Sequence, residues 1–459
     1  MKFIPFTSII ILLYGTIVCT LLGTKPNVVI FFTDDQGTLD AGCYGAPYLK
    51  TPNIDYLAET GVRFTQAYAH TVCCPSRAML MTGRHPQRGG VNHWTQGNMN
   101  TPKGRNMALE ELTIAEILKR DGYRTALFGK WHLGAHRDHG PTKQGFDEFF
   151  GIRNGFIDNF NHHFLHRDGY HDLYHGTTPI KAHGKFFPEL MTNRALRFIE
   201  ENNEKPFFLY VPFNIPHYPE DAPKKFGEPF KDIKDGTTRS YATIMYATDF
   251  YIGEIINKLN ELQLLKNTLV IFMSDNGHSE ETTYRISVDN HASGYLKGHF
   301  YGASGGGFTG KWIGQKGTFL EGGIRVPAIL RYPTKIPQGE TRDQIITAMD
   351  WLPTVMDLCG IERKDSDPPL DGHSLLPVIK NPYQMSGYQK TLNFQWHQSW
   401  AVRMDEWKLI GREGSEKLEL FRLTDQEPER KNYSAERMDI VDGMLSIRKS
   451  WLDDLAKTK

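Results

Sequence analysis

Four short runs of the chain, at 28–32, 125–128, 207–213 and 269–273, are apolar but for Thr125 at the start of the second and do not alternate with polar residues. A strand with one wet face alternates, so uninterrupted runs mark strands of a parallel sheet covered on both faces. Helical stretches fall between them at 54–60, 113–120 and 246–262. Strands alternating with helices predict an α/β fold with a mostly parallel central sheet sandwiched between helical layers. From about Pro382 the pattern shortens and alternates, at 400–404 and 407–410, and then gives way to an acidic turn and a helix over 438–455. This predicts a small antiparallel C-terminal subdomain. The first 23 residues carry Lys2 and an uncharged, mostly apolar run over 9–22. That run is shorter than the ~20 residues a spanning helix needs, so it reads as an export signal, and no stable membrane span is expected. The resulting organisation is a leader at 1–23, a large α/β domain at 24–381 and the C-terminal subdomain at 382–459. There are no internal repeats.

In sheets of this type ligands gather beyond the carboxyl ends of the strands. Each apolar run ends in chemistry: Asp34 and Asp35 after the first, Lys130 and His132 after the second, His217 after the third, Asp275 and Asn276 after the fourth. Asp34, Asp35, Asp275 and Asn276 are hard oxygen donors, suited to calcium or magnesium rather than zinc. An Asp-Asp or Asp-Asn-Gly sequence alone is ordinary turn chemistry. Two such pairs at two buried strand ends favour a metal.

Composition narrows the partner. Lys and Arg number 53, as do Asp and Glu, in 459 residues. There is no overall basic field of the kind that draws nucleic acid, so an anionic ligand must be held by a local cluster. Outside the leader the cysteines are Cys43, Cys73, Cys74 and Cys359, too few for a disulfide scaffold in an exported chain. One of them is thereby open to a chemical role. The segment 73–84 has the marks of a helix start, with Pro75 in its first turn and Gly83 ending it, and a helix start offers free N–H groups to an oxyanion. Two further segments stand out. The glycine-rich 302–317 carries Lys311 and Lys316 but lacks the ending of a phosphate loop. His162, His163, His166, His171 and His175 lie close together, with two i,i+4 pairs. Zinc is disfavoured there because Asn161, Asp168, Gly169 and Gly176 break a helix, and the insertion is expected to line a ligand mouth.

Cys73, Pro75, Ser76, Arg77, Leu80, Thr82, Gly83 and Arg84 fill every fixed position of the pattern Cys-x-Pro-Ser-Arg-x-x-Leu-x-Thr-Gly-Arg. On this run the chain resembles the formylglycine-dependent, arylsulfatase-like sulfatases. The likeness extends to 26–35, 42–45, 51–69, 129–134, 274–277 and 316–327. It also reaches 418–432, where Phe421, Arg422 and Thr424 depart from the family's closing motif. The resemblance implies an alkaline-phosphatase-like sandwich and a sulfuric ester hydrolase. Cys73, not Cys74, would be oxidised to formylglycine by a formylglycine-generating enzyme. Asp34, Asp35, Asp275 and Asn276 would bind Ca²⁺ beside residue 73, and Arg77, Lys130, His132, His217 and Lys316 would surround the sulfate. By the same resemblance the aldehyde hydrate attacks sulfur, His217 or Lys316 protonates the leaving oxygen, and His132 serves as base when the aldehyde reforms. The expected substrate is a sulfated oligosaccharide or polysaccharide, met in a periplasm or outside the cell. Two rival readings are a phosphodiester or phosphonate hydrolase of the same superfamily and a catalytically silent carbohydrate-binding protein.

Overall fold

The computed structural model describes residues 25–100, 104–165, 169–279, 307–383 and 391–457. The expected leader and His166 lie outside the described residues. In chain order the first half runs β1 (Asn27–Asp34), α1 (Pro52–Glu59), β2 (Val62–Tyr68), α2 (Cys73–Thr82), α3 (Ile114–Arg120), β3 (Arg124–Lys130), β4 (Glu148–Ile152), β5 (Tyr174–His175), β6 (Thr178–Pro179), α4 (Phe187–Glu201) and β7 (Phe207–Pro216). The second half runs α5 (Gly236–Glu261), β8 (Thr268–Ser274), α6 (Glu321–Ile324), β9 (Arg325–Arg331), β10 (Glu340–Thr347), α7 (Trp351–Cys359), α8 (Leu376–Lys380), β11 (Thr391–Trp396), β12 (Ser399–Met404), β13 (Trp407–Arg412), β14 (Glu419–Arg422) and α9 (Met438–Lys457).

The first ten strands form one sheet in the order β10-β2-β9-β8-β1-β7-β3-β4-β5-β6. At its centre β8, β1, β7 and β3 are adjacent and mutually parallel. These are the four uninterrupted apolar runs. Their residues alternate between two cores because successive side chains on a strand point to opposite faces. Val28, Ile30 and Phe32 join Tyr210, Ile271 and Met273 on one side, while Val29 and Phe31 join Leu209, Val211 and Phe272 on the other. Antiparallel pairing enters where β9 meets β8 and β2 and at the β4-β5-β6 edge, making the sheet mixed rather than wholly parallel.

The second sheet is β11-β12-β13-β14, antiparallel throughout. One set of its side chains, Trp400, Val402, Leu409 and Leu420, packs with Val441 and Met444 of α9. Leu392, Phe394, Trp396 and Ala401 instead join the main core. A buried ion cluster fastens the two sheets together. Lys408 of β13 lies 2.6 Å from Glu321 and 2.9 Å from Glu429, and the Glu321 backbone N–H donates to Glu429. Among the described residues no helix is long and apolar enough to cross a membrane.

Removing Lys408 would leave two buried carboxylates without their shared cation. Lys408→Met is expected to lower unfolding stability by about 3–5 kcal/mol, measured by urea denaturation. A second expectation concerns pH. His70 is buried against the rings of Phe319, Phe394 and Trp396, and burial lowers its pKa to about 3. The unfolded chain therefore takes up a proton near the ordinary imidazole value while the folded chain does not. Stability is complete above about pH 6.5 and falls as pH drops toward 3, by about 1.4 kcal/mol per pH unit for this one group. A melting-temperature profile that is flatter over this window in His70→Phe than in the parent would bear this out.

Candidate active site

Because β8, β1, β7 and β3 run parallel, their carboxyl ends meet at one edge, and the polar residues that follow them converge there. Asp34 ends β1, Lys130 ends β3, His217 follows β7, and Asp275 and Asn276 follow β8. Gly129, at φ +144°, lets β3 approach β7 closely enough to aim Lys130 inward, since a Cβ there would sit 2.0 Å from the Pro212 carbonyl oxygen. Asp35 and His132 both adopt left-handed backbone, at φ +61° and +55°. This conformation is costly for residues other than glycine and recurs at functional sites.

Helix α2 supplies the next part. Its first residue is Cys73, its last turn closes on Gly83 at φ +64°, and the whole helix is buried. The Cys73 Sγ donates to Asp34 Oδ1 at 3.3 Å. One ligand atom from each of Asp34, Asp35, Cys73 and Asp275 lies within 4.8 Å of the others, the only such group of His, Cys, Asp or Glu found among the described residues.

Three carboxylates packed this closely repel, and each has its own cation. Lys130 Nζ is 2.5 Å from Asp34, Lys316 Nζ is 2.7 Å from Asp35, and the Arg77 guanidinium donates to Asp275 Oδ2 at 2.7 and 3.1 Å. Arg77 also donates to the Lys130 carbonyl, tying α2 to β3. Burial would raise the Asp35 carboxyl, but Lys316 and His217 outweigh it and hold it below the ordinary range. Asp275 is pushed up by burial, with Asp34 adding to the shift. Burial and Asp34 together hold the Cys73 thiol well above the usual value, so the encoded side chain is a protonated thiol.

Asn276 donates from Nδ2 to Asp35 at 2.7 Å, while its buried Oδ1 has no hydrogen-bond partner among the described residues. A cation beside Asp34, Asp35 and Asp275 would give that oxygen a role, and an all-oxygen set of three carboxylates and an amide fits calcium. His132 has neither ring nitrogen hydrogen-bonded among the described residues, and burial with Lys130 holds its pKa well below the ordinary value. His217 donates from Nδ1 to the Tyr218 carbonyl at 2.7 Å, and its Nε2 lies 3.5 Å from Asp35. The structure thus brings together every site residue named from the sequence.

Residues 26–361 match the family described as sulfatase, and residues 311–450 match the one described as N-sulphoglucosamine sulphohydrolase, C-terminal. The chain belongs to the sulfatase family. It is 33% identical over 416 residues to arylsulfatase A of Homo sapiens, covering 83% of this chain and 74% of that one. To N-acetylgalactosamine-6-sulfatase of Canis lupus familiaris it is 32% identical over 379 residues, 77% of this chain and 66% of that relative, so the match spans just under two thirds of the relative's length. Among solved structures, that of Ps i-CgsB in complex with k-i-k-neocarrahexaose superposes with a TM-score of 0.78 at 28% identity, covering 93% of each chain.

Other sequence expectations fare differently in this sulfatase-family chain. His162 does not face a ligand mouth. It is fully buried, its Nε2 is 2.9 Å from the Lys185 carbonyl oxygen, and its ring meets Phe187 edge-on. His163 and His171 bridge their backbones, and His163 bonds the Gly169 carbonyl, so these rings serve the fold of the insertion. What the insertion brings to the site is aromatic. Phe156 stacks on His217 with centroids 5.2 Å apart and packs with Phe164 and Tyr218. On the other side Trp94 stacks on His132 at 6.0 Å. Neither aromatic was singled out from the sequence, because each lies in a loop with no periodic pattern.

Phe156→Ala is expected to cost about 3–5 kcal/mol of stability, as large-to-small changes at buried aromatic sites do. It would also remove the ring current on His217. Imidazole proton resonances of His217 moving toward their solvent-exposed positions would report the lost stack, while unchanged resonances would mean that Phe156 does not hold the ring.

Proposed function

We propose that this protein hydrolyses sulfate esters of a carbohydrate, using residue 73 as formylglycine and Ca²⁺ as its metal. The observation that carries the reading is the buried group of Asp34, Asp35, Asp275 and Cys73, with Lys130, Lys316 and Arg77 each paired to one carboxylate. In this reading Asp34, Asp35, Asp275 and the free Oδ1 of Asn276 hold the calcium. Bound there, calcium would supply fixed positive charge against the negative charge that builds during sulfuryl transfer. A formylglycine hydrate at position 73 would supply an oxygen nucleophile, and a second hydroxyl through which the sulfated residue is released.

The remaining roles belong to encoded side chains. Lys130 and Lys316 reach the sulfate oxygens from two sides, offsetting an anionic ester that an electron-rich nucleophile otherwise approaches poorly. Arg77 keeps Asp275 in place through two hydrogen bonds that converge from Nε and Nη2 on Oδ2, a geometry a lysine would not reproduce. His217 or Lys316 delivers a proton to the leaving alcohol oxygen. His132, its ring nitrogens unclaimed by any described protein group, takes the proton when the covalent sulfate is expelled. The carbohydrate assignment draws support from the N-acetylgalactosamine-6-sulfatase relative and the oligosaccharide-bound neighbour, together with the exposed Trp94 beside His132. A formylglycine-generating enzyme is the maturation partner this chemistry requires.

The test is sulfate release from a panel of defined sulfated saccharides by protein co-expressed with a formylglycine-generating enzyme. Release is expected from at least one sugar class, absent in Cys73→Ala and reduced by calcium chelation. Hydrolysis of a phosphonate monoester or phosphodiester, read as release of its alcohol, with no sulfate released from any saccharide, would overturn the reading. Mass spectrometry of the peptide bearing residue 73 is expected to show aldehyde in place of thiol. Lys316→Ala is expected to lower kcat/KM by about 10²–10⁴-fold, the range for losing an acid–base or charge-stabilising group.

A further inference from the structure

A pocket lies beside the site, across Trp94 from His132, and none of the roles above uses it. It has a volume of about 540 Å³ and is lined by Asn92, His93, Trp396, His397, Gln398 and Arg412, among others. Two parts of the chain distant in sequence build it. His93 belongs to the loop that follows α2, and His397 and Gln398 form the two-residue turn between β11 and β12, where Trp396 pairs with Ser399. The C-terminal sheet therefore contributes directly to a cavity next to the large domain's site. Two ring contacts make the connection: Trp94 stacks on His132 and meets Trp396 edge-on at 5.3 Å, and Trp396 forms the pocket wall.

The lining has the chemistry of a sugar site. A pyranose offers an apolar C–H face to an aromatic ring and hydroxyls to convergent polar groups. His93 and His397 face each other with their Nδ1 atoms 3.0 Å apart, so one ring donates to the other. The Nε2 of each makes no hydrogen bond among the described residues, leaving an acceptor or donor on both rings. Arg412, exposed at the rim, donates to Gln398 Oε1 at 3.1 Å and adds a positive charge. His397 is held at φ +53°, a conformation the tight turn imposes on a residue other than glycine.

We propose that this pocket binds the saccharide unit adjoining the one whose sulfate is removed, with Trp94 and Trp396 between the two units and Arg412 facing the anionic substituents of the neighbour. The inference rests on the carbohydrate sulfatase reading and deepens it: the protein would recognise a chain of at least two sugars.

The experiment uses the full-length, formylglycine-bearing protein with two substrates, a sulfated galactan hexasaccharide and galactose 6-sulfate. His397→Gly removes the imidazole yet suits the positive φ of the turn, since glycine adopts it without strain. Arg412→Ala is an exposed change with no packing to lose. On the hexasaccharide both variants are expected to raise KM by about tenfold or more, as when one or two hydrogen bonds are lost, with kcat little altered. On galactose 6-sulfate neither should differ from the parent. Equal losses on both substrates, or none on either, would overturn the subsite. If the parent releases sulfate from neither, binding of the desulfated hexasaccharide, followed by tryptophan fluorescence, decides the matter separately. Binding that His397→Gly abolishes would support the pocket even as the hydrolase reading failed. No binding by the parent would sink the subsite.

Discussion

Three carboxylates buried at one sheet edge are the constraint around which the rest of the molecule is arranged. Asp34, Asp35 and Asp275 cannot remain ionised together without compensation, and each compensating charge comes from a different element: Lys130 from β3, Arg77 from α2, Lys316 from the loop ahead of α6. Buried charges are tolerated when paired and hydrogen-bonded and are costly otherwise. The site's electrostatics therefore demand that β1, β3, β8, α2 and that loop be in register together. The close approaches around them answer this demand. Gly277 is another example, where a Cβ would meet the Gly322 carbonyl oxygen at 1.8 Å.

The same cations that neutralise the carboxylates are the groups proposed to receive sulfate. A divalent ion entering among Asp34, Asp35, Asp275 and Asn276 would take over part of their compensation and release Lys130 and Lys316 toward an anion. Metal and substrate sites are then two uses of one charge balance, and altering either lysine should disturb both.

Much of this was legible in the chain. The four central strands announced themselves because burial on both faces leaves no polar position to blur the pattern, and their carboxyl ends named the site. Cys73 was legible through its motif. The outer strands were harder. β2, with Arg63 and Gln66 set among apolar residues, and β10, with Arg342 and Gln344 buried, have the composition of ordinary surface segments until the sheet claims them. Helix α5 begins ten residues earlier than its apolar periodicity suggested, because its first turns carry Thr237, Thr238, Arg239 and Ser240 and depend on Asp235, whose side chain accepts from the Thr238 N–H. Trp94 and Phe156 owe their places wholly to tertiary contacts. His162 shows the converse: a residue in a histidine-rich stretch expected to line a ligand mouth is drawn inside, where the Lys185 carbonyl satisfies its Nε2.

The parallel pairing of β1 with β7 and β8 also sets a timetable. The nucleophile helix α2 leaves the ribosome well before β8, and Cys73, 1% exposed in the finished structure, cannot be enclosed until Asp275 has been made. At translation rates of about 5–20 residues per second, the intervening stretch of roughly 200 residues takes on the order of 10–40 seconds. For at least that interval β8 is missing and the sheet that encloses the thiol is incomplete. Any enzyme that must reach its sulfur has to do so before the last central strand is in place.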